Sequence, residues 1–219
     1  MTLAPWDEQD IPSLLALDAA GPGRWRSRHG DANRNGRSYG GQLLGQAMNA
    51  ALMDLSNLPN LQGVREPTMM QFLFLQGALP QQALDFEVTA LQDGKRFSSR
   101  HVRATQGGGR MVLDAQVTAA ATLDSPTHDT PSTAPAGERP ESLPGLGDVD
   151  PALLREVSRL GGYSQDRKPS IDFRIPDAER QLSAAGMTQR LRFWMRTTRP
   201  LPQDSRVHAA VLAYLSDWW

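Results

Sequence analysis

The chain has 219 residues, with 23 Lys and Arg, 24 Asp and Glu, and no cysteine. A net charge of −1 excludes the strongly basic surface typical of nucleic-acid-binding proteins. The absence of cysteine excludes disulfides, a thiolate nucleophile and a cysteine-ligated metal site. Residues 1–16 show no basic segment before an apolar core, and no apolar run approaches the roughly 18 residues of a membrane span. We therefore expect a soluble, cytoplasmic protein that neither crosses a membrane nor binds nucleic acid.

One stretch differs in composition from the rest of the chain. Six prolines lie between residues 126 and 151, together with many Ser, Thr and Gly. Proline removes a backbone donor and disfavours helix in the residue before it. This composition predicts an extended linker over residues 122–152, which separates a first part, 1–121, from a second part, 153–219.

The first part opens with helical patterns. Asp10 is placed to cap a short helix over residues 11–20, and Trp25 begins a short extended segment. A second, longer helix is predicted from Gly40 onward. Its apolar residues have helical spacing and cover much of the circumference, which indicates burial: Leu44, Ala47, Met48, Ala51, Leu52 and Leu55.

After Pro67 the period changes to that of strands. The predicted strands lie at residues 69–75, 84–90, 97–106 and 111–119, with turns at 92–95 and 107–109. One short strand, one long helix and then four strands in a meander predict an α+β fold. In such a fold the helix packs across an antiparallel sheet.

Two motifs in this part resemble the acyl-CoA thioesterase II family. Residues 39–47, Tyr-Gly-Gly-Gln-Leu-Leu-Gly-Gln-Ala, are similar to that family's helix start, FGGQ-x-x-GQA. Residues 93–106 are similar to its longer pattern DG-x-x-F-S-x-R-x-V-x-A-x-Q. The resemblance implies a double hotdog fold, in which each antiparallel sheet wraps around a long central helix. Residues 1–121 would form the first hotdog domain.

The second part follows the repeat in order but not in extent. A helix is predicted at 151–160, strands at 171–175 and 191–196, and a last helix capped by Asp204. Two strands cannot cover an apolar helix and form an independently stable sheet. We expect residues 153–219 to be a partial second hotdog domain that is truncated, or that is completed by something else.

The resemblance also names candidate site residues. Asp217, in the segment Ala-Tyr-Leu-Ser-Asp, takes the place of the family's catalytic aspartate, which orients the attacking water. The implied Ser/Thr and Gln partners have no assignable counterpart. Gly40, Gly41 and Gln42 are candidate substrate-binding residues, although tight packing of small residues explains the glycines equally well. Arg100, in the second motif, is better explained as a strand residue paired with an acid than as a catalytic group.

Other chemistries are poorly supported. The four histidines are scattered and lack metal-ligand spacing, so no metal or other cofactor is expected. No Ser lies in a G-x-S-x-G elbow. A cluster of arginines between residues 24 and 37 is interpreted as a solvated loop or, less favoured, as a site for the phosphates of CoA.

The resemblance implies an acyl-CoA thioesterase of lipid metabolism, which hydrolyses fatty acyl-CoA to a free fatty acid and CoA. The acyl chain would lie between helix and sheet, along residues such as Leu44, Met48 and Phe72. The alternative is a non-catalytic acyl-CoA-binding or assembly module. A hydratase is disfavoured, because residues 40–47 offer no His/Asp pair. Exposed strand edges and the unfinished second part predict a homo-oligomer.

Overall fold

The computed structural model describes residues 3–33, 35–57, 64–122, 139–159, 168–182 and 192–217. These residues group into two compact units. The first unit combines residues 1–124 with residues 201–218, and the second contains residues 125–200. Much of the predicted linker lies outside the described residues, so the division at 121 and 152 stays a prediction.

Among its described residues, the first unit has a six-stranded antiparallel sheet and three helices. Its elements in chain order are α1 (Ile11–Leu15), β1 (Leu17–Gly21), β2 (Arg24–Ser27), α2 (Gly40–Ser56), β3 (Arg65–Phe74), β4 (Asp85–Asp93), β5 (Phe97–Gln106), β6 (Arg110–Ala121) and α5 (Ser205–Leu215). Helix α2 packs against β3, β4, β5 and β6, and most of its residues are buried. The predicted α+β arrangement of a long buried helix on an antiparallel sheet is confirmed.

The strand order differs from the predicted meander. It is β1-β2-β4-β5-β6-β3. Strands β4, β5 and β6 do follow one another as a meander, but β3 pairs with β6 along its whole length, from Arg65 opposite Ala121 to Phe74 opposite Leu113. The four-strand meander is therefore wrong for β3, which forms an edge of the sheet instead of lying beside β4.

The beginning of the chain also differs from the prediction. Asp10 caps α1 as expected, because its side chain accepts a hydrogen bond from the Ser13 amide at 3.2 Å. The helix ends at Leu15, however, and β1 follows, paired with β2. Only Leu17 of β1 is buried, so the strand has no alternating apolar pattern from which it could be recognised.

Helix α5 belongs to the first unit and packs lengthwise against α2. Asp204 is its N-cap and accepts a hydrogen bond from the Arg206 amide at 3.0 Å, as predicted. Gly45 of α2 makes the close approach possible. A side-chain carbon at position 45 would lie 2.8 Å from the Ala210 carbonyl oxygen and as close to Leu15. The small residues of α2 therefore pack chiefly against a second helix.

The described residues of the second unit form smaller elements. They are α3 (Pro151–Arg159), β7 (Ile171–Arg174), α4 (Ala178–Leu182) and β8 (Trp194–Thr197). Strands β7 and β8 pair antiparallel, which confirms two of the predicted strands, whereas α4 was not predicted. Across all the described residues of the chain, no helix is long and apolar enough to cross a membrane.

Candidate active site

The last turn of α5 ends beside the first turn of α2. Asp217 follows α5, is partly buried, and lies against Gly40, the first residue of α2. A methyl group at position 40 would overlap the Asp217 carboxylate and lie 2.9 Å from the Phe74 ring. The structure therefore brings together Asp217 and Gly40, two of the residues singled out in the sequence, although they are far apart along the chain.

Gly41 allows the two helices to approach at the next position. A side-chain carbon there would overlap the Tyr214 carbonyl oxygen and the Tyr39 ring. Any larger residue would push the last turn of α5 away from α2. The packing interpretation of Gly40 and Gly41 thus has a direct structural basis, while contact with substrate stays a prediction.

Gln42 uses its side-chain amide inside the protein. It is 1% exposed, and its Oε1 accepts a hydrogen bond from the Asp31 amide at 2.7 Å. Its Nε2 donates to the His29 carbonyl at 2.9 Å and to Gln46 Oε1 at 3.3 Å. Gln42 therefore anchors the loop before α2, and its predicted substrate contact remains untested.

Three residues to which the sequence analysis gave no role surround this junction. The Tyr39 hydroxyl donates to the Tyr214 carbonyl at 3.2 Å, and the Tyr214 hydroxyl donates to Asp31 Oδ2 at 3.1 Å. The two rings meet edge to face with centroids 5.0 Å apart. Tyr39 is the first residue of the first motif, but Asp31 and Tyr214 are 183 positions apart, so no spacing could have connected them.

The junction combines a positive helix end with buried polar groups. Backbone N–H groups and the macrodipole make the start of α2 attractive to negative charge. Burial, followed by the charges of Asp217 and Asp31, raises the pKa of Tyr39 far above its usual value. The Tyr39 hydroxyl therefore stays protonated at neutral pH and acts as a hydrogen-bond donor.

Arg100 of the second motif lies at the opposite end of α2 from Asp217. Arg100 is fully buried and binds Asp54 at 2.6 Å and Asp93 at 2.9 Å, as the ion-pair interpretation predicted. Asp54 is fourteen positions after Gly40 along the helix, which is about 21 Å at 1.5 Å per residue. The side chain of Gln106, the last residue of the motif, accepts a hydrogen bond from the Leu79 amide and donates to the carbonyls of Leu79 and Gln82. The side chains of Arg100 and Gln106 thus stabilise the fold and do not contact Asp217.

The histidines and arginines considered in the sequence form no second candidate site in the part of the chain that the structure describes. Within the described residues there is no group of three or more His, Asp or Glu arranged to hold a metal. His101 binds Asp114 at 2.9 Å between β5 and β6. Of the arginine cluster, Arg26 and Arg28 pair with Asp85 and Asp18 at 2.7 Å. Arg34 lies outside the described residues.

The first unit is thus an α+β fold in which a long helix packs on an antiparallel sheet, and the Asp217 carboxylate lies at the start of that helix. Residues 28–123 match the family described as "Acyl-CoA thioesterase N-terminal domain". Acyl-coenzyme A thioesterase 8 of Rattus norvegicus is 26% identical over 216 residues, which is 95% of this chain and 65% of that protein. Residues 28–123 are thus similar to the N-terminal domain of acyl-CoA thioesterases, and the chain spans 65% of the length of this relative.

Solved structures agree on the fold. The acyl-CoA thioesterase II TesB2 of Mycobacterium marinum superimposes with a TM-score of 0.67 at 24% identity, over 95% of this chain and 68% of that one. A hot dog fold protein of unknown function from Alicyclobacillus acidocaldarius superimposes with a TM-score of 0.63 at 16% identity, over 93% of this chain and 68% of that one. The predicted hotdog fold is therefore confirmed.

Proposed function

We propose that this protein hydrolyses fatty acyl-CoA to a free fatty acid and CoA, with Asp217 orienting the attacking water. The observation that carries the proposal is the position of the Asp217 carboxylate against Gly40, at the positive end of α2. A base and a set of backbone donors are the two groups that thioester hydrolysis requires.

The proposed reaction needs no covalent enzyme intermediate. Asp217 accepts a proton from a bound water while the water oxygen attacks the thioester carbonyl carbon. The N–H groups at the start of α2 stabilise the oxyanion that forms on the carbonyl oxygen. The tetrahedral intermediate then breaks its C–S bond, and the proton passes from Asp217 to the leaving thiolate, which yields the fatty acid and CoA.

The acyl chain is better placed on β3 than between helix and sheet. Leu44 and Met48 are 1% and 7% exposed and belong to the packed core, so they offer little surface to a substrate. Phe72 and Phe74 remain 42% and 47% exposed, and their rings meet edge to face at 5.2 Å. Since Phe74 also reaches Gly40, we propose that this aromatic pair contacts the acyl chain next to Asp217.

The test is release of CoA from a panel of acyl-CoAs, followed with a thiol-reactive dye. The protein contributes no background because it has no cysteine. We expect turnover that rises from acetyl-CoA to longer acyl chains, since each added methylene buries apolar surface. Absence of turnover over the whole panel would reject hydrolysis by this chain.

The alternative is a non-catalytic acyl-CoA-binding or assembly module. It needs only a surface for the acyl chain, such as the exposed pair Phe72 and Phe74, and no base. Binding of a non-hydrolysable acyl-CoA thioether, measured calorimetrically, together with no CoA release, would support this alternative over catalysis.

Gly40→Ala should lower turnover strongly, by about 10²-fold, because its methyl group would displace the Asp217 carboxylate and the Phe74 ring. Gly77→Ala is the matched control, since a carbon there would lie 3.4 Å from the flexible side chain of Arg37. The CoA-release assay compares the two variants. Equal activity of Gly40→Ala and the wild type would argue against a site at this junction.

We also propose that the protein associates with a second copy of itself through β3. This edge strand exposes apolar side chains on both faces, namely Met69, Phe72, Leu73 and Phe74, with Leu75 directly after it. Light scattering at roughly tens of micromolar should report an oligomer that Leu73→Lys weakens by charging the strand. Leu91→Lys, at an equally exposed leucine of β4, should leave it intact. A monomeric wild type would contradict the proposal.

A further inference from the structure

The side chain of Tyr39 has no part in the proposed chemistry, yet it lies at the center of the junction. It is 8% exposed and precedes the two glycines of the first motif. The pattern that this motif resembles begins with Phe, so the hydroxyl is what distinguishes this chain at that position. The hydroxyl donates to a carbonyl in the last turn of α5.

Three contacts join the two helix ends into one closed arrangement. The Tyr39 amide donates to the Asp31 carbonyl at 2.8 Å, the Tyr39 hydroxyl donates to Tyr214, and the Tyr214 hydroxyl returns to the Asp31 carboxylate. Tyr214 is fully buried and Asp31 is 8% exposed, so these bonds are shielded from competing water. The arrangement holds Tyr214 from both its backbone and its side chain.

Asp217 is three residues beyond Tyr214, and its orientation therefore depends on that turn. The last carbonyls of a helix lack intrahelical donors and are satisfied from outside. Here one such donor comes from the residue that caps α2, so a single side chain links the start of α2 to the turn that carries Asp217.

We propose that Tyr39 is a positioning residue whose hydroxyl holds the last turn of α5 so that Asp217 stays over the start of α2. This inference depends on the proposed function of Asp217. It assigns Tyr39 no contact with substrate, and it predicts an effect on the chemical step and not on binding.

Tyr39→Phe tests this with the loss of one oxygen atom. We expect kcat to fall about tenfold, with KM changed by less than about twofold, because a slightly misplaced base slows the reaction without weakening substrate binding. Ser99→Ala is the control. It removes a hydroxyl that contacts Thr118 at 3.3 Å on the face of β5 that points away from α2, and its kcat should match the wild type.

A double-mutant cycle separates positioning from a general loss of structure. In the Asp217→Asn background, followed under single-turnover conditions, Tyr39→Phe should cause no further loss, because the residue on which it acts is gone. A tenfold loss in both backgrounds, or a Tyr39→Phe enzyme as active as the wild type, would overturn the proposal.

Amide hydrogen exchange keeps the inference testable if the wild type shows no turnover, the result that rejects the proposed function itself. Tyr39→Phe should then speed exchange in residues 212–217 at least threefold, while Ser99→Ala leaves it unchanged. Equal protection in Tyr39→Phe and the wild type would show that the hydroxyl does not hold this turn.

Discussion

Asp217→Asn should reduce kcat for acyl-CoA hydrolysis by about 10²- to 10⁴-fold, the usual contribution of a positioned general base. Asparagine has nearly the same shape as aspartate, so it fills the space beside Gly40 as the carboxylate does. It cannot take a proton from water, however. CoA release and calorimetric binding of an acyl-CoA thioether, measured in parallel, should show lost turnover with retained affinity.

Asp114→Asn is the matched control for this prediction. Asp114 is also a partly exposed carboxylate, but it pairs with His101 between β5 and β6. His101 points away from α2, because its neighbour Arg100 lies on the opposite face of β5 and binds Asp54 of α2. Its variant should hydrolyse acyl-CoA at the wild-type rate. Equal activity of Asp217→Asn and Asp114→Asn would exclude the catalytic role of Asp217.

The elements that the sequence predicts well are those whose burial is periodic. In β5 every second residue from Ser98 to Gln106 is buried, and α2 is lined with small and apolar residues on most sides. Such patterns are local, so a single sequence reveals them. The pairing of β3 with β6 is not local, and periodicity does not say which neighbor a strand chooses. β1 was missed because one buried residue makes no pattern.

The same distinction between local patterns and contacts across the fold applies to the candidate site. Asp217 and Gly40 could be singled out because each lies in a segment that resembles a family motif. Their proximity results from the packing of α5 against α2, which Gly45 permits but which no motif in the sequence indicates. Asp31 lies in no motif, Tyr214 shares the segment of Asp217, and what makes both important is a hydrogen bond across the fold. Sequence reasoning therefore indicated the candidate base but not the contacts that hold its turn.

Arg100→Leu should destabilise the first unit by about 3 kcal/mol, because it leaves the carboxylates of Asp54 and Asp93 without their buried partner. The guanidinium also donates to the carbonyls of Gln92 and Ser99, so the loss extends to the turn between β4 and β5. For a chain of this length the midpoint of thermal unfolding should fall by about 6–12 °C. Circular dichroism on heating measures this shift.

Arg103→Leu is the matched control for this prediction. Arg103 lies on the same strand and binds Glu87 at 2.9 Å, but both side chains are exposed, so the pair should contribute less than about 1 kcal/mol.

Arg100→Lys should remain destabilised, since an ammonium cannot reproduce the two-pronged contact with Asp93. Because Asp54 and Gly40 are at opposite ends of α2, folded Arg100→Leu protein at low temperature should keep its kcat. Two results would mean that Arg100 does not act by joining helix to sheet. One is an Arg100→Leu protein as stable as Arg103→Leu, and the other is an Arg100→Leu protein that keeps its stability but loses turnover.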